Sequence, residues 1–124
     1  MKAKFYKCSH CGNVVVKFVD AGVPVVCCGE KMEELVPNTV EASGEKHIPV
    51  VTLIGNGRIK VEVGSVPHPM LAEHHISFIY VETARGGIRV VLKDKPEAEI
   101  YVGDEEVVAV YEYCNLHGLW KAEM

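Results

Sequence analysis

Apolar residues along this chain recur in short runs and in strict alternation, and no helical spacing persists. Arg58 to Val63 alternates polar and apolar residues, which places Ile59, Val61 and Val63 on one face of an extended strand. Ile48 to Ile54, Ile76 to Thr83, Ile88 to Leu92, Ile100 to Val102 and Val107 to Tyr113 are further runs dominated by Val, Ile and Tyr, residues that fit a pleated surface. Turn signals separate them at Gly55-Asn56-Gly57, Arg85-Gly86-Gly87, Lys95-Pro96 and Gly103-Asp104. Short strands at regular intervals predict an all-β chain, and about 90 residues of them match the size of an immunoglobulin-like β-sandwich.

Ahead of this stretch the pattern is different. Val14 to Val19 and Val23 to Val26 read as two short strands around an Ala21-Gly22 turn. The chain divides near Pro37-Asn38, and residues 38–44 read as a linker. The expected organisation is therefore a small module over 1–37 and a sandwich over 38–124. A module of that size cannot bury a sufficient core and needs a bound metal to hold it.

Composition narrows the function classes. Seventeen acidic residues against thirteen basic ones give a net charge of −4, and no basic run marks a nucleic-acid surface. The apolar runs are strand-sized, far short of a membrane span. Met1-Lys2-Ala3-Lys4 leads into the first cysteine motif without an apolar run of signal-peptide length, so the expectation is a cytoplasmic protein. Five cysteines leave one unpaired in any disulfide scheme. In a reducing compartment, clustered cysteines are read as metal ligands.

Four of them form the first cluster. Cys8-x-x-Cys11 is a tight chelating loop, and its partner is the adjacent pair Cys27-Cys28. Neighbours in a strand point to opposite faces, so this pair can grip one ion only where the backbone bends; Gly29 can supply the unusual dihedral. A distorted tetrahedral sulfur site follows, for which iron and zinc both qualify. His10, lying between two ligands of a complete tetrahedron, is read as solvent-facing.

The second cluster comprises His47, His68, His74, Cys114 and His117. Pro67 and Pro69 stiffen the segment around His68, and one loop before Ile76 can carry both His68 and His74. His47 is expected to begin a strand, and Cys114 and His117 to end one. His75 follows His74 and points the other way in an extended chain, so it is read as packing or surface. A structural zinc site needs four ligands. Five donors fill a square pyramid and leave a sixth position open, which suits redox chemistry on a small molecule. Glu45 and Lys46, ordinarily a solvated pair, gain interest from standing beside His47.

Tyr6-Lys7-Cys8-Ser9-His10-Cys11-Gly12-Asn13, Cys27-Cys28-Gly29-Glu30-Lys31-Met32, His68-Pro69-Met70 and Glu112-Tyr113-Cys114-Asn115-Leu116-His117-Gly118-Leu119-Trp120-Lys121 occur here in one order. Together they resemble the two-iron desulfoferrodoxins, the superoxide reductases, over nearly the whole chain. The resemblance implies two iron ions: a desulforedoxin-like iron–tetrathiolate at Cys8, Cys11, Cys27 and Cys28, and a catalytic iron with four equatorial imidazoles and axial Cys114. It implies one-electron reduction of superoxide to hydrogen peroxide, with Lys46 attracting the anion and Glu45 occupying the sixth position of the oxidised iron. A rubredoxin-like donor and a homodimer are implied as well. Trp120 and Tyr113 are read as core packing around the thiolate. Two other readings stay open at this stage. An electron carrier would need neither an open position nor Lys46, and a zinc-stapled β-sandwich interaction module would hold zinc at both clusters.

Overall fold

The structure is a computed structural model that describes residues 3–40, 42 and 44–124. It divides between Val36 and Pro37 into two compact units.

In the first unit, β1 (Phe5–Lys7) is the centre of a three-stranded antiparallel sheet between β2 (Val14–Val16) and β5 (Glu33–Leu35). A small hairpin of β3 (Val26–Cys27) and β4 (Glu30–Lys31) accompanies it. Among the described residues, only Phe5, Cys8 and Met32 are buried apolar residues here, too few for a core that stands alone. The expected strand Val14 to Val19 stops at Val16, and Phe18 and Val19 are exposed. Val23 to Val26 contributes only its last residue to a strand, because Pro24 cannot donate to a ladder.

The described residues of the second unit form a sandwich of seven strands. One sheet has the order β10 (Glu97–Tyr101), β7 (Arg58–Val63), β6 (Pro49–Gly55). The other runs β12 (Gly118–Glu123), β11 (Val107–Cys114), β8 (Ile76–Thr83), β9 (Gly87–Val91). All pairings are antiparallel. Ile59, Val61 and Val63 from β7 and Ile100 from β10 meet Ile76, Ile79 and Val81 from β8 and Val110 and Cys114 from β11 in one core cluster. The period-two alternation read from Arg58 to Val63 is thus the inward face of the central strand.

Two departures from the expected elements bear on the second cluster. Gly44–His47 forms a helical turn, α1, closed by a hydrogen bond from the Ile48 amide to the Gly44 carbonyl (2.9 Å). His47 therefore ends a helical turn instead of beginning a strand. The cause is Pro49, which disfavours the helical conformation at Ile48 and opens β6. In addition, β8 and β11 shift register between Tyr113 and Cys114: Tyr113 pairs with Phe78 and Cys114 with Ile76. Ser77 is the extra residue of a bulge, and past it Ile76 faces the core beside Cys114.

Glu112, between Val110 and Cys114, has the same inward parity and is fully buried. Neither carboxylate oxygen has a hydrogen-bond partner among the described residues. Burial pushes its carboxyl up to about 9, so it is neutral at pH 7. Among the described residues, no helix is long and apolar enough to cross a membrane.

Candidate metal centres

The four cysteines come together in the first unit, with every sulfur within 4.8 Å of the others. Past β1 the chain turns tightly: the Gly12 amide donates to the Cys8 carbonyl (3.0 Å), and the Cys8 amide to the Asn13 carbonyl (2.9 Å). This turn brings the Cys11 amide to 3.5 Å from the Cys8 sulfur. Cys27 and Cys28 sit on the β3–β4 hairpin, whose two-residue turn is Cys28-Gly29 with φ of 53° and 78°. Two positive φ values make a type I′ turn. The bend needed to aim both sulfurs at one point thus falls on Cys28 itself as well as on Gly29.

Cys11 Sγ and Cys27 Sγ are 3.6 Å apart, and the Asn13 side-chain amide donates to Cys27 Sγ at 3.6 Å. The Cys11 backbone amide leads in drawing the Cys8 thiol down to about 6. Chiefly the neighbouring Cys11 sulfur pushes Cys28 up to about 12. Four thiols this close cannot all ionise unaided, and a central cation removes the conflict. His10 points elsewhere and meets Glu30 at 3.1 Å.

In the second unit His47, His68, His74, Cys114 and His117 converge, with one ligand atom from each within 4.8 Å of all the others. Donors on opposite sides of one ion lie about 4.2–4.6 Å apart at usual imidazole and thiolate bond lengths. The spread is that of a single coordination sphere. The imidazoles form a closed ring. Centroid distances are 4.8 Å for His47–His68, 4.6 Å for His68–His74, 5.1 Å for His74–His117 and 4.9 Å for His117–His47. Each ring stands nearly perpendicular to the next, at 72° to 88°. A square of four imidazoles with Cys114 as fifth donor is the arrangement.

Local chemistry aims the nitrogens inward. His68 Nδ1 lies 2.7 Å from the Pro69 carbonyl, which can only accept, so this nitrogen carries the proton and Nε2 keeps its lone pair. Nε2 of His68 and Nε2 of His74 are buried with no hydrogen-bond partner among the described residues, a costly state unless a cation completes it. Burial is also the main reason that His68 is held down at about 4, neutral and able to ligate. His117 instead presents Nδ1, 3.9 Å from Cys114 Sγ. Burial raises the Cys114 thiol, against the opposing effect of amide hydrogen bonds such as His117 N–H to Sγ at 3.4 Å. A bound cation would offset that burial and favour the thiolate. Both donor sets therefore fit iron: four sulfurs in one, and imidazoles with one soft thiolate in the other.

Two supporting features were not read from the sequence. Asn115 brackets His74: its side chain accepts from the His75 amide (2.8 Å) and donates to the Glu73 carbonyl (3.0 Å), and its own amide donates to the His75 carbonyl (3.2 Å). Its place between Cys114 and His117 was the available signal. The second feature is Gly64. The Glu45 carbonyl accepts from the Val66 amide (3.0 Å) and the Ser65 hydroxyl (3.3 Å), which straps α1 to the segment leading to His68. A Cβ at Gly64 would overlap that carbonyl. Glu45 and Lys46 themselves are exposed, while His47 beside them is buried. His75 donates from Nδ1 to the Leu71 carbonyl at 2.9 Å and lies outside the ring of imidazoles.

Comparison with known proteins agrees with this geometry. Residues 39–123 match the sequence model of the family Desulfoferrodoxin, and residues 1–35 match Desulfoferrodoxin, N-terminal domain. A desulfoferrodoxin from Nitratidesulfovibrio vulgaris is 46% identical over 122 residues, covering 97% of this chain and 95% of its own length. A superoxide reductase from Pyrococcus abyssi is 31% identical over 65% of this chain and 87% of its own. The crystal structure of the superoxide reductase from Treponema pallidum superposes with a TM-score of 0.83 at 34% identity, covering 99% of this chain and all of that one. With both of its clusters matched in sequence and in fold, this chain belongs to the desulfoferrodoxin family.

Proposed function

We propose that the chain is a superoxide reductase that converts superoxide, one electron and two protons into hydrogen peroxide. The observation that carries this reading is the closed square of imidazoles with a single thiolate, a five-donor set with one more ligand than a structural zinc site uses. An iron ion held there would supply the transferred electron and bind the incoming superoxide.

The chain's own residues supply the remainder. His47, His68, His74 and His117 would hold the ion through their imidazoles, and the Pro69 carbonyl fixes the His68 tautomer. The Cys114 thiolate, fully buried in the core, would be the one soft ligand and would donate electron density to the ion; the same effect is known for thiolate-ligated haem. The ammonium of Lys46, exposed on the turn that ends in His47, draws the anion toward a protein whose net charge is −4. Glu45, exposed on the same turn, is the proposed carboxylate that would ligate the iron once it is oxidised. Water has access at this exposed turn, which favours protonation and release of peroxide with its O–O bond intact.

Cys8, Cys11, Cys27 and Cys28 are the proposed ligands of a second iron, in a module over 1–37 distinct from the sandwich over 38–124. A rubredoxin-like protein is the proposed electron donor. Homodimerisation belongs to the same reading and draws support from the loop after β2, where Phe18, Val19 and Val23 are exposed. A cytoplasmic location is supported by five free thiols used as clusters. Metal analysis with a visible spectrum of anaerobically purified protein tests the assignment. Two irons per chain are expected, and zinc at both clusters would replace this reading with the interaction module.

A further inference from the structure

Trp120 is the chain's single tryptophan and is 4% exposed on β12. Packing alone would be satisfied by any apolar surroundings. Instead, its indole stacks on His47, with centroids 4.9 Å apart and planes 22° apart. Its one polar atom, Nε1, donates to the His117 carbonyl at 3.1 Å. The two contacts reach two of the four imidazole-bearing residues, brought from α1 and from the turn between β11 and β12. A planar group with one donor is suited to fix both at once: the stack sets the plane of the His47 ring, and the hydrogen bond holds the turn carrying Cys114 and His117.

We propose that Trp120 is a positioning residue of the five-donor centre that also tunes its charge state. This inference rests on the reading of that cluster as a metal centre. An imidazole bound to a cation is electron-poor, and the indole face is the most electron-rich surface a side chain offers. Stacking therefore favours the more highly charged metal and lowers the reduction potential. Groups that orient ligands from behind are worth roughly 10- to 100-fold in metal affinity.

The test uses the full chain and cobalt(II) as the probe, so that it does not depend on superoxide turnover. Trp120→Phe keeps a stacked ring and removes the N–H; Trp120→Leu removes both contacts. Cobalt affinity at the five-donor site is expected to fall about 10-fold in the first and nearer 100-fold in the second. Cobalt absorption of the four-cysteine site stays unchanged and serves as the internal control. With iron bound, the Leu variant is expected to have a higher reduction potential than wild type, and the Phe variant one close to wild type. Wild-type cobalt affinity and potential in both variants would reduce Trp120 to packing and overturn the proposal. If Trp120→Leu does not fold, an unchanged cobalt affinity in Trp120→Phe overturns it by itself. A wild-type protein that shows this cobalt pattern yet leaves superoxide untouched would overturn the proposed function and not this inference.

Discussion

His117 Nδ1 lies 3.1 Å from His47 Nε2, across 70 positions of sequence. Without a cation, one of the two nitrogens must carry a proton to satisfy the other. With one, both lone pairs are used, along with those of His68 and His74, whose Nε2 atoms have no other partner among the described residues. Metal removal should therefore destabilise the sandwich as well as inactivate it. A ligand present at 1,000 times its dissociation constant stabilises by about 4.1 kcal/mol. Scanning calorimetry with and without a chelator should show a lower melting temperature for the stripped protein; coincident transitions would mean that the cluster does not bind metal in the folded state.

The metal-free sandwich should also lose stability in acid over a defined window. Burial holds His68 at about 4 in the fold, against an ordinary value of 6.5. Between those values the unfolded chain binds a proton that the folded chain refuses, so stability falls as pH drops. The contribution is fully present above 6.5 and lost by 4. Urea denaturation of the chelated protein at several pH values should show the midpoint falling across this range, and His68→Gln should flatten the slope. Equal slopes in the two proteins would remove His68 as the source.

Gly64→Ala should disturb the turn that carries Glu45 and Lys46. The added Cβ would overlap the Glu45 carbonyl and approach the His47 amide at 3.0 Å. Relief requires lifting α1, which weakens the hydrogen bonds from Val66 and Ser65. Overpacking of this kind costs about 1–3 kcal/mol. Thermal melts should report the loss, and the spectrum of the five-donor centre should shift while that of the four-cysteine centre does not. A variant with wild-type melting and spectrum would show that the strap is dispensable.

Lys46→Ile should slow the reaction with superoxide without displacing metal, because a protonated lysine has no lone pair to offer. Electrostatic focusing raises on-rates by roughly ten-fold or more and is screened by salt. Pulse radiolysis at several ionic strengths should give a wild-type rate that falls with salt and a slower variant rate with a flatter dependence. Identical rates and slopes would make Lys46 an ordinary surface lysine.

Most of the sandwich was legible because alternation at Arg58 to Val63, and β-branched runs such as Ile76 to Thr83, report burial directly. The donor sets were legible because thiols and imidazoles are few and their chemistry is strong. Most of what escaped depends on partners distant in sequence. β12 holds no β-branched residue and is a strand because it pairs with β11. α1 is a single turn, too short to show a period, and it forms where Pro49 stops the chain from continuing as helix. Asn115 acts on Glu73 and His75, 42 and 40 positions away. The inward side of Glu112 follows from strand parity, but nothing local signals that an acid would stand there without a partner.

The central claim is tested most directly by counting peroxide. Reduced wild-type protein mixed anaerobically with a known amount of superoxide should yield one hydrogen peroxide for each superoxide consumed and release no dioxygen. Cys114→Ser, which removes the only thiolate of the five-donor set, should lose this reaction and keep the absorption of the four-cysteine centre. One peroxide for every two superoxides, with dioxygen evolved, would identify a dismutase and contradict the account, as would an undiminished yield and rate in Cys114→Ser.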